Sequence, residues 1–130
     1  MTYKLGTASN NRLLTCTFDL QRVVQRAIEI SDVDFSVVEG VRTEEQQRQN
    51  IENGVSWTMD SKHLPDANGK ARAVDIYPWV NGQTNHDPEF YKRIARAMFM
   101  AASREGVEVW WGGFWRGGEP FKDAPHWELP

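Results

Sequence analysis

The strand-forming runs of this chain are short, and they do not alternate with helices in the rhythm that builds a parallel sheet. "DFSVVEGVR" is β-rich and reads as a strand ending near Val41. "ARAVDIYPW" alternates Ala71, Ala73, Asp75 and Tyr77 against Arg72, Val74 and Ile76, and reads as a strand stopped by Pro78. "VEVWW" and "HWEL" supply two more. With the helices between them the order is α β α β α β β. That order predicts an α+β fold: a small antiparallel sheet flanked by about three helices, largely to one side.

The helices are written locally. Over residues 18–30, Leu20, Val23, Val24, Ala27 and Ile28 recur at helical spacing and form one apolar face. "TEEQ" is a capping box, with Thr43 as N-cap, Gln46 at the third position and acids in the first turn; Gly54 ends that helix. Asp87 caps a third helix with Pro88 in its first position, and Phe90, Ile94, Ala97, Met98 and Ala101 form its buried stripe up to Gly106. Residues 55–70 read as loop, broken by Pro65, Asn68 and Gly69.

A chain of 130 residues suits one domain, 1–130, and is long enough for a real core. It is 40% apolar and 25% charged, too apolar for a disordered chain. A formal charge of −3 and no basic stripe argue against nucleic acid as a partner. No apolar run approaches the roughly 18 residues of a membrane-spanning helix, so no membrane insertion is expected. "MTYKLGTASNNRLL" has no apolar core of a secretory signal. Cys16 is the single cysteine, which excludes an internal disulfide; in "LLTCTFDL", with no histidine nearby, it reads as a small buried hydrophobe rather than a nucleophile. Most of the six tryptophans are expected in the core, although exposed ones could form a binding surface.

The chemistry rests on few residues. The histidines are His63, His86 and His126. His86, in the polar turn "NGQTNHDPEF", reads as a surface or helix-capping residue. His63 and His126 each lie beside a strand edge with a carboxylate near in sequence. Asp75 sits among apolar neighbours, and a buried carboxylate requires an arginine, backbone N–H groups or a cation. An Asp–Arg pair inside the sheet and a metal site fit equally well at this point. In "KDAPHWEL", Asp123 precedes His126 by three residues; it could be a plain turn former, or it could hold a water at a metal and move its proton.

Taken together, Ser61-Lys62-His63, Ala73-Val74-Asp75 and Asp123-Ala124-Pro125-His126 resemble the zinc D-Ala-D-Ala carboxypeptidase and L-alanyl-D-glutamate peptidase family, nearest its bacteriophage endolysin branch. Upstream, Arg42, Thr43 and Gln47 look like the family's Arg-Thr-x-x-x-Gln helix start, and "WWGGFW" resembles its tryptophan-glycine stretch. These segments run from about residue 38 to 129. One departure is the longer spacing between His63 and Asp75, where "LPDANGK" is inserted. The insertion is expected to bulge outward, although it could instead bring Asp66 to the cleft.

The resemblance implies a Hedgehog/D-Ala-D-Ala-peptidase-like fold and zinc held by His63, Asp75 and His126. It implies Asp123 as general base and acid, and Arg42 as a cation that holds substrate or stabilises the developing oxyanion. Ser61 would contact substrate or support the ligands, and Trp115 or Trp127 could wall the cleft. The implied activity is hydrolysis of the L-alanyl-D-glutamate bond in the peptidoglycan peptide stem by a monomer. With no wall-binding domain, targeting would fall to the catalytic domain. The enzyme would wait in the cytoplasm of an infected host until the membrane is breached, with a holin as the breaching partner. A D,D-carboxypeptidase releasing terminal D-Ala, or a non-catalytic zinc-containing wall-binding module, are the alternatives.

Overall fold

The structure, a computed structural model, describes residues 2–54, 61–114 and 123–130. Its elements in chain order are α1 (Thr7–Leu13), α2 (Phe18–Ile30), β1 (Phe35–Glu39), α3 (Glu44–Glu52), β2 (Ala73–Val80), β3 (Gln83–Thr84), α4 (Pro88–Glu105), β4 (Trp110–Trp111), a 3₁₀ turn (Gly112–Phe114) and β5 (His126–Glu128). The sheet runs β1-β2-β5-β4, with β3 paired to β2, and each of these pairings is antiparallel. The α+β expectation stands, with four α-helices among the described residues where about three were expected.

The three expected helices keep their signals. Thr17 caps α2 by accepting from the Leu20 N–H at 3.4 Å. Thr43 and Gln46 form the reciprocal capping box on α3, and Asp87 accepts from the Glu89 N–H at 2.9 Å on α4. Gly106, at φ 68°, closes α4 in the left-handed region that favours glycine.

Residues alternate along the strands, so the sheet has one core face and one open face. Val37, Val74, Ile76 and Trp127 turn inward and meet Val23, Val24 and Ala27 of α2 and Ile94, Met98 and Ala101 of α4 in one core. Full burial of each larger apolar side chain stabilises the fold by about 1.5–3 kcal/mol. Asp75 lies on the other face. Cys16 is in the core, where burial pushes its thiol up to about 12 despite a hydrogen bond with Thr15. A thiol so protonated is a hydrophobe, as expected.

Two sequence expectations are corrected here. Pro78 does not stop β2, which continues to Val80 and turns through Asn81 and Gly82, both at positive φ, into β3. The reason is register. The Ile76 N–H donates to Pro125 O toward β5, so position 78 also faces that side, beyond the end of β5 pairing. A proline there still accepts from the Asn85 N–H at 3.1 Å, and its missing donor falls where the β2–β3 ladder ends at Trp79–Thr84. Trp127 cannot wall an open cleft: it is 1% exposed, on the core face, stacked on Trp111. Trp111 is buried as well, while Trp79 and Trp110 are exposed. Trp115 lies outside the described residues. No described helix is long and apolar enough to cross a membrane.

Candidate active site

Three antiparallel strands deliver the site. Register pairs Asp75 of β2 with His126 of β5 and with Glu39 of β1, so one row across the sheet carries all three on the open face. The row is bent by a register shift between Val37 and Glu39, a bulge that brings Glu39 and Gly40 beside the site. His63 enters from the loop before β2, tied down where Arg42 N–H donates to His63 O at 2.7 Å and Arg72 N–H to Lys62 O at 2.8 Å.

The three side chains meet in a near-equilateral triangle. His63 Nε2 is 3.2 Å from Asp75 Oδ1, His126 Nδ1 is 3.2 Å from the same oxygen, and the two ring nitrogens are 3.3 Å apart. The other nitrogen of each ring faces an acceptor: His63 Nδ1 is 2.8 Å from Gly40 O, and His126 Nε2 is 2.9 Å from Glu128 Oε1. Neither acceptor can donate, so the outer nitrogens carry the hydrogens. The inner nitrogens of the neutral rings are then lone pairs aimed at a carboxylate. Three acceptors at this separation repel one another unless a cation stands among them. Among the described residues, these three form the group able to hold a metal ion.

The protonation pattern expresses the same field. Burial pushes the Asp75 carboxyl up, but hydrogen bonds and charge from His126 and His63 outweigh it and hold it well below the ordinary carboxylate value. Burial alone would lower His126; Asp75 and Glu128 reverse that and raise it to about 9. Without a metal, a proton takes the cation's place.

The remaining expected residues surround this triangle. Asp123 is half-buried, its carboxyl raised chiefly by burial, and it is electrostatically coupled to His126, Asp75, His63 and Arg42. The turn that carries it is closed by His126 N–H donating to Asp123 O at 3.0 Å, which explains the three-residue spacing. Gly112 accepts from the Asp123 N–H at 3.2 Å, and a Cβ at Gly112 would lie 2.4 Å from Asp123 O. Only glycine admits that approach.

Arg42 is gripped by Glu39, whose Oε1 accepts from Nε at 2.6 Å, and by the fully buried Gln47 of α3. Burial works against its charge, while the Glu39 bond and the fields of Asp75 and Asp123 raise its pKa further. Ser61 Oγ accepts from the His63 N–H at 3.2 Å, so it supports the ligand loop. Asp66 is not at the site. It accepts from the Asn68 and Lys70 N–H groups and closes the inserted segment into its own turn, with Gly69 at φ 75°.

The structure adds residues the sequence reading passed over. Glu128 fixes the tautomer of His126 and is itself paired with Lys62 at 3.2 Å. Its signal was present, since positions 126 and 128 of a strand share a face. Gly40 acts through its carbonyl, which leaves no trace in side-chain chemistry. A Cβ there would lie 2.5 Å from Arg12 O and 2.3 Å from Thr15 Oγ1.

Residues 1–129 match the family described as phage L-alanyl-D-glutamate peptidase. The chain is 34% identical over 127 residues to the L-alanyl-D-glutamate peptidase of Escherichia phage T5, covering 95% of this chain and 89% of that protein. It is 32% identical over 125 residues to the L-alanyl-D-glutamate peptidase of Listeria phage A118, of which it spans 40%. Its fold is similar to the crystal structure of the Serratia marcescens L-Ala D-Glu endopeptidase ChiX, with TM-score 0.85 and 36% identity over 97% of this chain and 90% of that one.

Proposed function

Because this chain belongs to the phage L-alanyl-D-glutamate peptidase family, we propose that it is a zinc-dependent endolysin cutting the L-alanyl-D-glutamate bond of the peptidoglycan stem. The observation that carries the metal part is the triangle of His63, Asp75 and His126, with edges of 3.2, 3.2 and 3.3 Å. Tetrahedral zinc with ligand bonds of about 2.0–2.1 Å has ligand–ligand edges of about 3.3 Å. Two imidazoles and one carboxylate also match the donor set of zinc sites that keep a fourth position open. When bound, zinc would polarise the scissile carbonyl and lower the pKa of a coordinated water to about 7.

The chain's own residues divide the rest. His63 and His126 present lone pairs because Gly40 and Glu128 hold their outer hydrogens. Asp123 takes the proton of the attacking water and returns it to the leaving amine nitrogen, one carboxylate serving as base and then acid. Arg42, its fork anchored by Glu39 and Gln47, supplies fixed positive charge to the carbonyl oxygen as it gains negative charge. Ser61 supports the loop that presents His63. The substrate is the peptide stem, the protein acts as a monomer, and it reaches the wall from the host cytoplasm once the membrane is breached.

Mass spectrometry of muropeptides from digested cell walls tests the reading. Products split between L-Ala and D-Glu, abolished by a chelator and restored by zinc, are expected. Release of a single terminal alanine would replace it with a D,D-carboxypeptidase. Binding to walls with no new amino termini would leave only a binding module.

A further inference from the structure

Asp75 is not the only polar group that β2 presents to the open face. Alternation puts Tyr77 on that face too, two residues along. Tyr77 is half-buried, and its phenol has no hydrogen-bond partner among the described residues. Its ring is nevertheless fixed. His86 meets it edge-on, with ring centroids 4.8 Å apart and an interplanar angle of 83°.

His86 is held from behind in turn. Its Nδ1 is 2.7 Å from the Tyr91 phenol oxygen, and the two rings stack at 6.1 Å and 15°. Tyr91, near the start of α4, is 5% exposed. Tyr91 lies within electrostatic reach of Tyr77, Asp75 and Asp123, so the cluster adjoins the metal centre. His86 itself is exposed, in the turn that follows β3, while Asn85 N–H donates to Pro78 O at 3.1 Å and holds that turn against β2.

We infer that Tyr77 is a specificity-determining residue whose phenol donates a hydrogen bond to the free carboxylate of the substrate's D-Glu, and that His86 is the positioning residue that holds its ring. The inference rests on the peptidase reading. Two strand residues span about 7 Å, the scale on which a peptide carries a carboxylate past its scissile amide. D-Glu keeps such a carboxylate, the strongest acceptor near the cleaved bond, and hydrogen bonds to ionised acceptors are roughly twice as strong as neutral ones. A neutral phenol suits the position because a lysine there would pair with Asp75 or Asp123 instead of with substrate.

The test is steady-state kinetics of the zinc-loaded protein on two soluble stem peptides, one with the D-Glu carboxylate free and one with it amidated. Tyr77→Phe should raise KM about tenfold for the carboxylate peptide and less than threefold for the amide, with kcat within twofold. His86→Ala should raise KM in the same direction with metal content unchanged, and His86→Phe, which restores an aromatic ring, should bring KM back toward the parent value. Circular dichroism checks that each variant is folded. Parent-like KM in Tyr77→Phe, or equal rises for both peptides, would overturn the inference while leaving the peptidase reading intact. So would loss of metal in His86→Ala. A parent protein that cleaves neither peptide would overturn both.

Discussion

His126 and Glu128 stand two residues apart on β5, and the Nε2 of the first lies 2.9 Å from a carboxylate oxygen of the second. This contact decides which nitrogen of His126 is left for a metal. A carboxylate behind a ligating imidazole fixes its orientation and raises its basicity, and loss of such partners typically lowers metal affinity 10–100-fold. Glu128→Ala is therefore expected to weaken zinc binding by about that factor, measured by competition with a chromophoric chelator at neutral pH. Unchanged affinity would show that the contact does no more than fill space.

Metal binding should also release a proton. In the metal-free protein His126 is raised to about 9, above its ordinary 6.5, because Asp75 and Glu128 outweigh the effect of burial. At pH 7 a zinc ion must displace that proton, so apparent affinity should climb with pH and level off near 9. Calorimetry in buffers of different ionisation enthalpy should count about one proton released at pH 7. The same group sets a stability trend in the chelated protein. A folded-state pKa raised above the unfolded value contributes stability that is complete below about 6.5 and lost as pH rises through about 9. That contribution is at most about 3 kcal/mol, and zinc should abolish the trend. A melting temperature flat across this range without metal would contradict the His126–Asp75 coupling.

What the sequence disclosed and what it withheld follow from how far each signal reaches. The caps at Thr43, Asp87 and Gly106 and the apolar stripe of α2 act within four residues, and all appear where their chemistry predicts. α1 escaped because Gly6 offers no capping side chain and the helix buries only Ser9 and Leu13. Pro78 misled because its tolerance depends on where β5 ends, which register alone decides. The His63–Asp75–His126 group that could hold a metal was visible through motif order, whereas the Gly40 carbonyl and the Tyr77–His86–Tyr91 cluster depend on segments meeting in space. His86 is the exposed turn residue before the Asp87 cap that the sequence indicated, and only its ring contacts with Tyr77 and Tyr91 were out of reach.

Gly112 makes a sharp steric prediction. A methyl group there would sit 2.4 Å from Asp123 O, 3.0 Å from Asp123 Cβ and 3.1 Å from His126 Cβ. The nearest atom is backbone, so Asp123 and His126 must shift together. Misplacement of about 1 Å in reacting groups can lower rates by about 10²-fold. Gly112→Ala is expected to reduce stem-peptide hydrolysis by at least that factor. Gly6→Ala, with nothing within 4 Å of the new methyl, should match the parent. Equal rates in the two variants would mean that the 3₁₀ turn does not position Asp123.

Asp123 should be separable from metal binding, since it lies outside the triangle of His63, Asp75 and His126. Asp123→Ala is expected to retain zinc by elemental analysis and to lose at least about 10²-fold in lysis of purified cell walls, the lower range for general acid–base groups. His63→Ala should instead lose zinc itself, because it removes a buried donor whose outer nitrogen Gly40 already holds. The two variants thus fail for different reasons, and added zinc discriminates between them. High zinc should recover part of the binding in His63→Ala and none of the lysis in Asp123→Ala. Near-parental lysis by Asp123→Ala would transfer the proton-moving role to another group, and full zinc occupancy in His63→Ala would remove His63 from the coordination set.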